Sequence, residues 1–290
     1  MGRFINGSIS RGVIIFAQTG QAYIGELKDF KRCGQGIMYY ENQRMEGKYD
    51  QDETIGQVKI YNSNGNYCEG EMKNRLLHGK GIHLTPQGDL YQGEWFENKF
   101  IDIISIKYAD QREYVGEYKD GQLHGKGKYT TQDGDTYEGD FENGLFNGLG
   151  KETIISGKIC IGEFKNGKKN GYGSIIWPNG DIYNGYFKEN LKNGKGKMYY
   201  GASNILSYDG CWKDNAKSGQ GTQVWKNSDK YIGEFLNNKM HGQGMLIKKG
   251  SLIMEGKWVH DVFQKPEEKR EPQDNIVYNK MNQVTKNLNF

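Results

Sequence analysis

The 290-residue chain predicts an all-β fold: an elongated, single-sheet antiparallel meander of about ten 23-residue β-hairpins, with a short C-terminal tail or helix. Three observations carry that expectation. A Tyr-x-Gly-acid-aromatic phrase returns at a fixed interval, as in Tyr114-Val115-Gly116-Glu117-Tyr118 and Tyr137-Glu138-Gly139-Asp140-Phe141. Apolar and polar residues alternate within each copy, which is the period of a strand. Turn dipeptides such as Asp120-Gly121 and Asp133-Gly134 separate the alternating runs.

The stretch from Tyr114 to Gly139 shows the unit. Tyr114, Gly116 and Tyr118 share one face of a strand, and Val115, Glu117 and Lys119 share the other. After the turn, Gly125, Gly127 and Tyr129 alternate with Lys126, Lys128 and Thr130. Glycine weakens a strand on its own. Beside an aromatic residue it leaves bare backbone on which a ring can lie, as in aromatic rescue of strand glycine. Such a sheet buries aromatic surface without a layer of helices and bends easily, so a curved gutter is expected. Ten two-strand units at about 4.8 Å per strand make a sheet on the order of 100 Å long.

The same phrase runs through the chain. Its glycine falls at Gly25, Gly47, Gly70, Gly93, Gly116, Gly139, Gly162, Gly185, Gly210, Gly233 and Gly256, spaced 22, then 23 six times, then 25, then 23 twice. Two residues earlier stand tyrosines such as Tyr91, Tyr114, Tyr137 and Tyr208, replaced by Met45, Cys68, Cys160 and Met254 in four copies. Two residues later the slot is always apolar or aromatic, as in Trp95, Tyr118, Phe141 and Trp212. A period in this range marks an array of stacked supersecondary units.

These residues carry a family resemblance. The pattern Tyr-x-Gly-x-aromatic followed by Gly-x-Gly resembles the MORN (membrane occupation and recognition nexus) repeat, from about Tyr23 to Trp258. The resemblance implies a stack of hairpins in a single sheet. It also implies a structural role, because arrays without a catalytic domain are similar to radial-spoke-head and other axonemal proteins. The family name brings in anionic phospholipid as a further ligand. The expected organisation is an N-terminal partial repeat over 1–22, the array over 23–262, and a polar linker with a short amphipathic segment over 263–290.

Composition narrows the function. Glycine is abundant (42) without a three-residue period, and proline is scarce (4), which is neither collagen nor a disordered tract. No apolar run reaches about 18 residues, so no transmembrane helix is expected. The opening MGRFINGSIS lacks the apolar core of a signal peptide. A net charge of +3 argues against a nucleic-acid partner. Cys33, Cys68, Cys160 and Cys211 show no Cys-x-x-Cys spacing. Cys68 and Cys160, four repeats apart, should lie roughly 40 Å from each other, beyond the ~7 Å reach of a disulfide. Free thiols in a reducing, cytoplasmic setting follow.

No catalytic, cofactor-binding or metal-binding residues are assigned, and the chain reads as a non-enzyme. His78, His124 and His241 precede Gly-x-Gly pairs in one repeat slot, where a left-handed backbone is expected. They lie in different repeats and cannot converge. The Gly-x-Gly pairs sit within strands and lack the following helix of a phosphate loop. Acids after the phased glycine, such as Glu26, Glu117 and Asp140, read with lysines such as Lys80 and Lys126 as a cross-strand charge ladder.

Two features point to partners. In KFIDIISIKY the glycine pair becomes Asp102 and Ile104, which makes Ile101, Ile103 and Ile104 a candidate apolar contact. After the linker Gln264–Asp274, Val277, Met281, Val284 and Leu288 form a helical stripe that needs a surface to fold on. The function that follows is a non-enzymatic scaffold for protein–protein contacts in a cytoskeletal assembly, with the ciliary axoneme and its radial spokes as the setting. Two alternatives stand beside it: a phospholipid-binding membrane–cytoskeleton tether, for which interspersed Glu and Lys imply weak anionic-lipid binding, and a regulatory module that recruits an enzyme in trans.

Overall fold

The structure, a computed structural model, describes residues 2–5 and 8–265, with side chains from Ser10 onward. The chain divides into two units, Met1–Ala202 and Ser203–Phe290. In the first unit the strands are β1 Gly2–Ile5, β2 Ser8–Phe16, β3 Gln21–Lys28, β4 Lys31–Tyr39, β5 Gln43–Asp50, β6 Glu53–Asn62, β7 Tyr67–Lys73, β8 Leu76–Leu84 and β9 Leu90–Phe96. They continue as β10 Lys99–Lys107, β11 Glu113–Lys119, β12 Gln122–Thr130, β13 Thr136–Glu142, β14 Leu145–Thr153, β15 Ile159–Lys165, β16 Lys168–Ile176, β17 Ile182–Lys188 and β18 Leu191–Tyr199. The second unit holds β19 Ile205–Lys213, β20 Ala216–Trp225, β21 Lys230–Leu236, β22 Lys239–Lys248, β23 Ser251–Val259 and β24 Val262–Phe263. Within each unit every strand pairs antiparallel with the next, so each is a meander in one sheet, as the hairpin phrase predicts.

Turn chemistry sets the hairpins. Asp120 and Gly121 have φ of 50° and 83°, and Asn143 and Gly144 have 51° and 77°. Two successive left-handed residues make the turn whose twist matches the flanking strands. The wider loops close otherwise: Thr131 N donates to Asp135 O, and Gly134, at φ 91°, donates to Thr131 O.

The glycine pair is resolved differently from expectation. The first glycine bulges within the strand. Gly34, Gly79, Gly125, Gly148, Gly219 and Gly242 have φ between 53° and 67°, and Asp102 takes the same conformation at 55°. Between β11 and β12 the register runs Gly116↔Gly127 and then Tyr118↔Leu123, so β12 carries two extra residues in a bulge. The left-handed position is thus the first glycine and not the preceding slot that holds His78, His124 or His241.

The second glycine does what was expected of it. An ideal Cβ on Gly127 would stand 2.5 Å from Tyr114 Oη and 2.6 Å from its ring, and one on Gly116 would stand 2.4 Å from the Gly127 Cα. The tyrosine therefore lies flat across a cross-strand glycine pair. Its hydroxyl donates to the carbonyl three residues on: Tyr114 to Glu117 at 2.7 Å, Tyr23 to Glu26 at 3.0 Å, Tyr137 to Asp140 at 3.0 Å and Tyr231 to Glu234 at 3.1 Å. Tyr23, Tyr114, Tyr137, Tyr208 and Tyr231 are buried, and burial pushes the Tyr114 hydroxyl up to about 12.

The acids act chiefly on the bulge. Glu117 Oε1 accepts from Lys126 N at 2.8 Å, Asp140 Oδ2 from Leu149 N at 2.9 Å and Glu234 Oε1 from Gln243 N at 2.9 Å. The predicted charge ladder keeps a rung in the Lys126–Asp140 ion pair. The acid slot is better explained by the amide that the bulge frees from the strand ladder, because a buried or half-buried amide must find an acceptor.

Successive repeats are also stitched at their turns. Asn98 Oδ1 accepts from Leu77 N at 2.8 Å, while Asn98 N donates to Leu77 O at 3.1 Å. Asn190 with Lys169, and Asn238 with Lys217, repeat the arrangement. At the opposite rim Asp89, Asp135 and Asp181 accept from Ala109 N, Ile155 N and Gly201 N at 2.8–2.9 Å.

Candidate functional site

The site grows out of three consecutive departures from the repeat. In the regular unit a tyrosine covers the glycine pair. Where Met45 replaces it, Val58 stands in the second glycine slot, 1% exposed, against Gly47. Where Cys68 replaces it, Trp95 swings back from the next hairpin and lays its indole over Gly70 and Gly81. In the fourth unit Ile104, 1% exposed, fills the space above Gly93 and Tyr91 is displaced. Tyr91 then stacks on His83 and Phe100, with ring centres 5.6 and 6.4 Å away.

These substitutions open a trough on the aromatic face of the first unit, with a volume of about 1930 Å³. Its floor includes Met38, Met45, Met72, Leu77, Trp95 and Phe100, and Trp95 stacks on Phe100 at 3.9 Å. Thioethers and aliphatic groups replace stacked tyrosines here, and methionine adapts to irregular partners. The rim carries the exposed charges of Glu53, Lys99, Asp102, Lys119 and Asp120.

A further hollow of about 510 Å³ shares Tyr118 and Gly121 with the trough and extends it to Phe146 and Gly167. Its walls are the half-buried Tyr91, Tyr108, Tyr118 and Tyr129. Arg112 lies 4.6 Å over the Tyr108 ring, donates to Tyr129 Oη at 3.0 Å and pairs with Asp110 at 2.7 Å. Hydrogen bonding to Arg112 holds the Asp110 carboxyl below the usual carboxylate range, and burial pushes the Tyr108 hydroxyl up to about 12. An apolar, aromatic floor with a charged rim is the anatomy of a protein interface.

The predicted contact residues divide. Ile101 is half-buried and Ile103 is 65% exposed, and both line the trough. Ile104 is a correction: its side chain is core, because the second glycine slot faces the buried side, and it is removed as a contact. Val277, Met281, Val284 and Leu288 lie outside the described residues. Of the repeat positions, Trp95, Tyr114, Tyr137, Phe141, Tyr208 and Trp212 are buried, whereas Tyr118 lines both trough and hollow and Tyr91 lines the hollow. Gly93, Gly116, Gly125, Gly127, Gly139 and Gly210 sit in the backbone roles described for the repeat. The sequence reading missed the four-tyrosine hollow. Its signal was there: Tyr108 and Arg112 occupy a loop that carries Thr85 and Thr131 elsewhere.

Cys160 is buried, which pushes its thiol up to about 11. Among the described residues no group of three His, Cys, Asp or Glu is placed to hold a metal ion, and no helix is long and apolar enough to cross a membrane.

Solved structures with some likeness share little sequence. The TCP10 domain of Danio rerio CPAP, solved in complex with a peptide of Danio rerio STIL, is 14% identical, covering 81% of this chain and 99% of that one at a TM-score of 0.40. The TCP10c domain of Drosophila melanogaster Sas-4 is 12% identical, covering 61% and 90% at 0.28. Virginiamycin B lyase from Staphylococcus aureus is 13% identical, covering 86% and 84% at 0.15. Identities this low leave partners and activities with those proteins. No curated protein matches. The model of the MORN repeat matches at residues 23–43, 68–90, 114–136, 137–158, 160–182, 183–204, 208–230 and 231–250, more than half of the chain. That match points to a scaffold binding protein or lipid. With its glycine-seated tyrosines recurring at the matched intervals, this chain belongs to the MORN repeat family.

Proposed function

We propose that the chain is a non-enzymatic scaffold that holds other proteins in a cytoskeletal assembly, the ciliary axoneme, through the trough of its first unit. The observation that carries this reading is the trough itself: a volume of about 1930 Å³, floored by Met38, Met45, Met72 and Trp95 and rimmed by charge of both signs. The phased tyrosines and acids serve the fold, as Tyr114 holds the Glu117 carbonyl and Glu117 the Lys126 amide. The axonemal setting rests on the likeness of MORN arrays to radial-spoke-head proteins. A rim of mixed sign fits a protein better than an anionic membrane, which calls for clustered Lys and Arg.

The test sets two partners against each other. Purified full-length chain is sedimented with isolated axonemes and, separately, floated with phosphatidylserine-containing vesicles. The scaffold reading expects it in the axonemal pellet and absent from the floated lipid, with Ile103→Asp, at an exposed trough position, reducing the pelleted fraction. Flotation with lipid and no axonemal sedimentation would replace this reading with the membrane tether.

A further inference from the structure

Among the described residues, β23 of the second unit is paired along its length on one side only. β23 pairs with β22 along its length, from Gly242↔Trp258 to Lys248↔Ser251. On its other side β24 covers only Trp258 and Val259, and Gln264 N donates to Lys257 O. Among the described residues nothing pairs with that side of Ser251–Gly256. The equivalent strand β21 is paired on both sides by β20 and β22.

The open stretch is only partly protected as an edge: it has a bulge at Ile253 and the charges of Glu255 and Lys257, but its apolar side chains stay exposed. Edge strands are normally kept from pairing by charge, proline or a covering segment. Here Leu252, Ile253 and Met254 are 56%, 48% and 37% exposed, and Val262 beside them is 60% exposed. β23 carries one extra residue at Ile253 relative to β22. A bulge does not bar pairing in this fold, since β12 is bulged against β11 and still pairs with β13. Among the described residues around the edge stand the exposed Lys248, Lys249 and Lys257, with the acids Glu255 and Asp261. A second copy of this edge would bring like charges together.

We propose that the edge of β23 at Ser251–Gly256 takes an extended strand from another protein, apolar in its middle and acidic at its ends. Main-chain hydrogen bonds add the strand, side-chain alternation seats it beside Leu252 and Met254, and the three lysines select it. This site lies in the second unit and goes beyond the trough reading.

The experiment uses the full chain and labelled synthetic peptides of alternating valine and threonine, flanked by paired glutamates or by paired lysines. Anisotropy should show the glutamate-flanked peptide binding roughly tenfold more tightly, as a few exposed ion pairs allow. Hydrogen exchange should slow at Ile253–Glu255 on its addition. Lys248→Glu with Lys249→Glu, at the exposed end of β22 and in the turn after it, should reverse the preference while the melting curve stays in place. Four results would overturn the proposal: no binding, equal binding of both peptides, binding indifferent to the lysine variants, or amides at Ile253–Glu255 already protected in the free chain. Dimerisation through this edge, seen as a concentration-dependent doubling of mass that the peptide disperses, would overturn it in favour of a second copy.

Discussion

Exchanging one repeat's packing solution for another's tests how the array is held together. In the regular unit Tyr114 covers Gly127; in the second unit Met45 and Val58 occupy the corresponding slots. Gly127→Val alone puts a branched side chain where Tyr114 Oη stands 2.5 Å from an ideal Cβ, so ring or backbone must move. Overpacking of that kind costs about 1–3 kcal/mol. Tyr114→Met alone removes a fully buried ring and the 2.7 Å hydrogen bond to Glu117 O. Large-to-small truncation costs about 2–4 kcal/mol, roughly 1 of it from the hydrogen bond. Together the two should fit as Met45 and Val58 do, with a coupling of about 2 kcal/mol in favour of the double variant, within the range for residues in contact. Because arrays open locally, the assay is hydrogen exchange of the β11–β13 amides, which gives an opening free energy for that segment. Additivity of the two single effects to within about 0.5 kcal/mol would refute the account of the glycine seat.

Other outcomes follow from the same structure. Trp95→Ala and Trp212→Ala, at sites 6% and 4% exposed, should each cost about 3–5 kcal/mol of local stability, read from urea midpoints of tryptophan fluorescence or exchange. Asp140 is held below its ordinary value of 3.8, first by Lys126 and also by the Leu149 amide. Its folded value is depressed, so its contribution is present above pH 3.8 and disappears as pH falls further. Asp140→Asn should therefore flatten the acid limb of the stability curve there, and an unchanged limb would remove both the Lys126 pair and the Leu149 amide cap from the account. Iodoacetamide at pH 8 should label Cys211 and Cys33 well before Cys160, whose labelling should wait for denaturant.

Much of the fold was legible because the repeat is written in residues with few structural alternatives. Asp120-Gly121 and Asn143-Gly144 specify their turns, and a tyrosine two residues before a glycine specifies a ring over bare backbone. The bulge was not legible, because Gly125 reads equally as a bare strand position until its φ of 53° is known. The acids were legible in part: Asp140 keeps the expected ion pair with Lys126, whereas the bulge amide of Lys126 that Glu117 accepts from could not be read before the bulge was known. Ile104 looked like surface because it sits among isoleucines, yet its parity places it in a glycine slot that faces inward. The trough was legible only as a set of exceptions, since Met45, Val58, Cys68 and Ile104 acquire meaning when their neighbours are seen to fill or vacate the same space.

The central claim is that partners meet the trough while the repeat side chains hold the fold. Hydroxyl-radical footprinting of the full chain, free and bound to axonemes, tests it directly. Tyr172 and Tyr186, half exposed on the outer face with ring centres 5.4 Å apart, serve as the internal reference. The account predicts that oxidation of Tyr91, Tyr108, Tyr118 and Tyr129 falls on binding while the reference pair is unchanged. Protection of Tyr172 and Tyr186 with the trough tyrosines still reactive would contradict it.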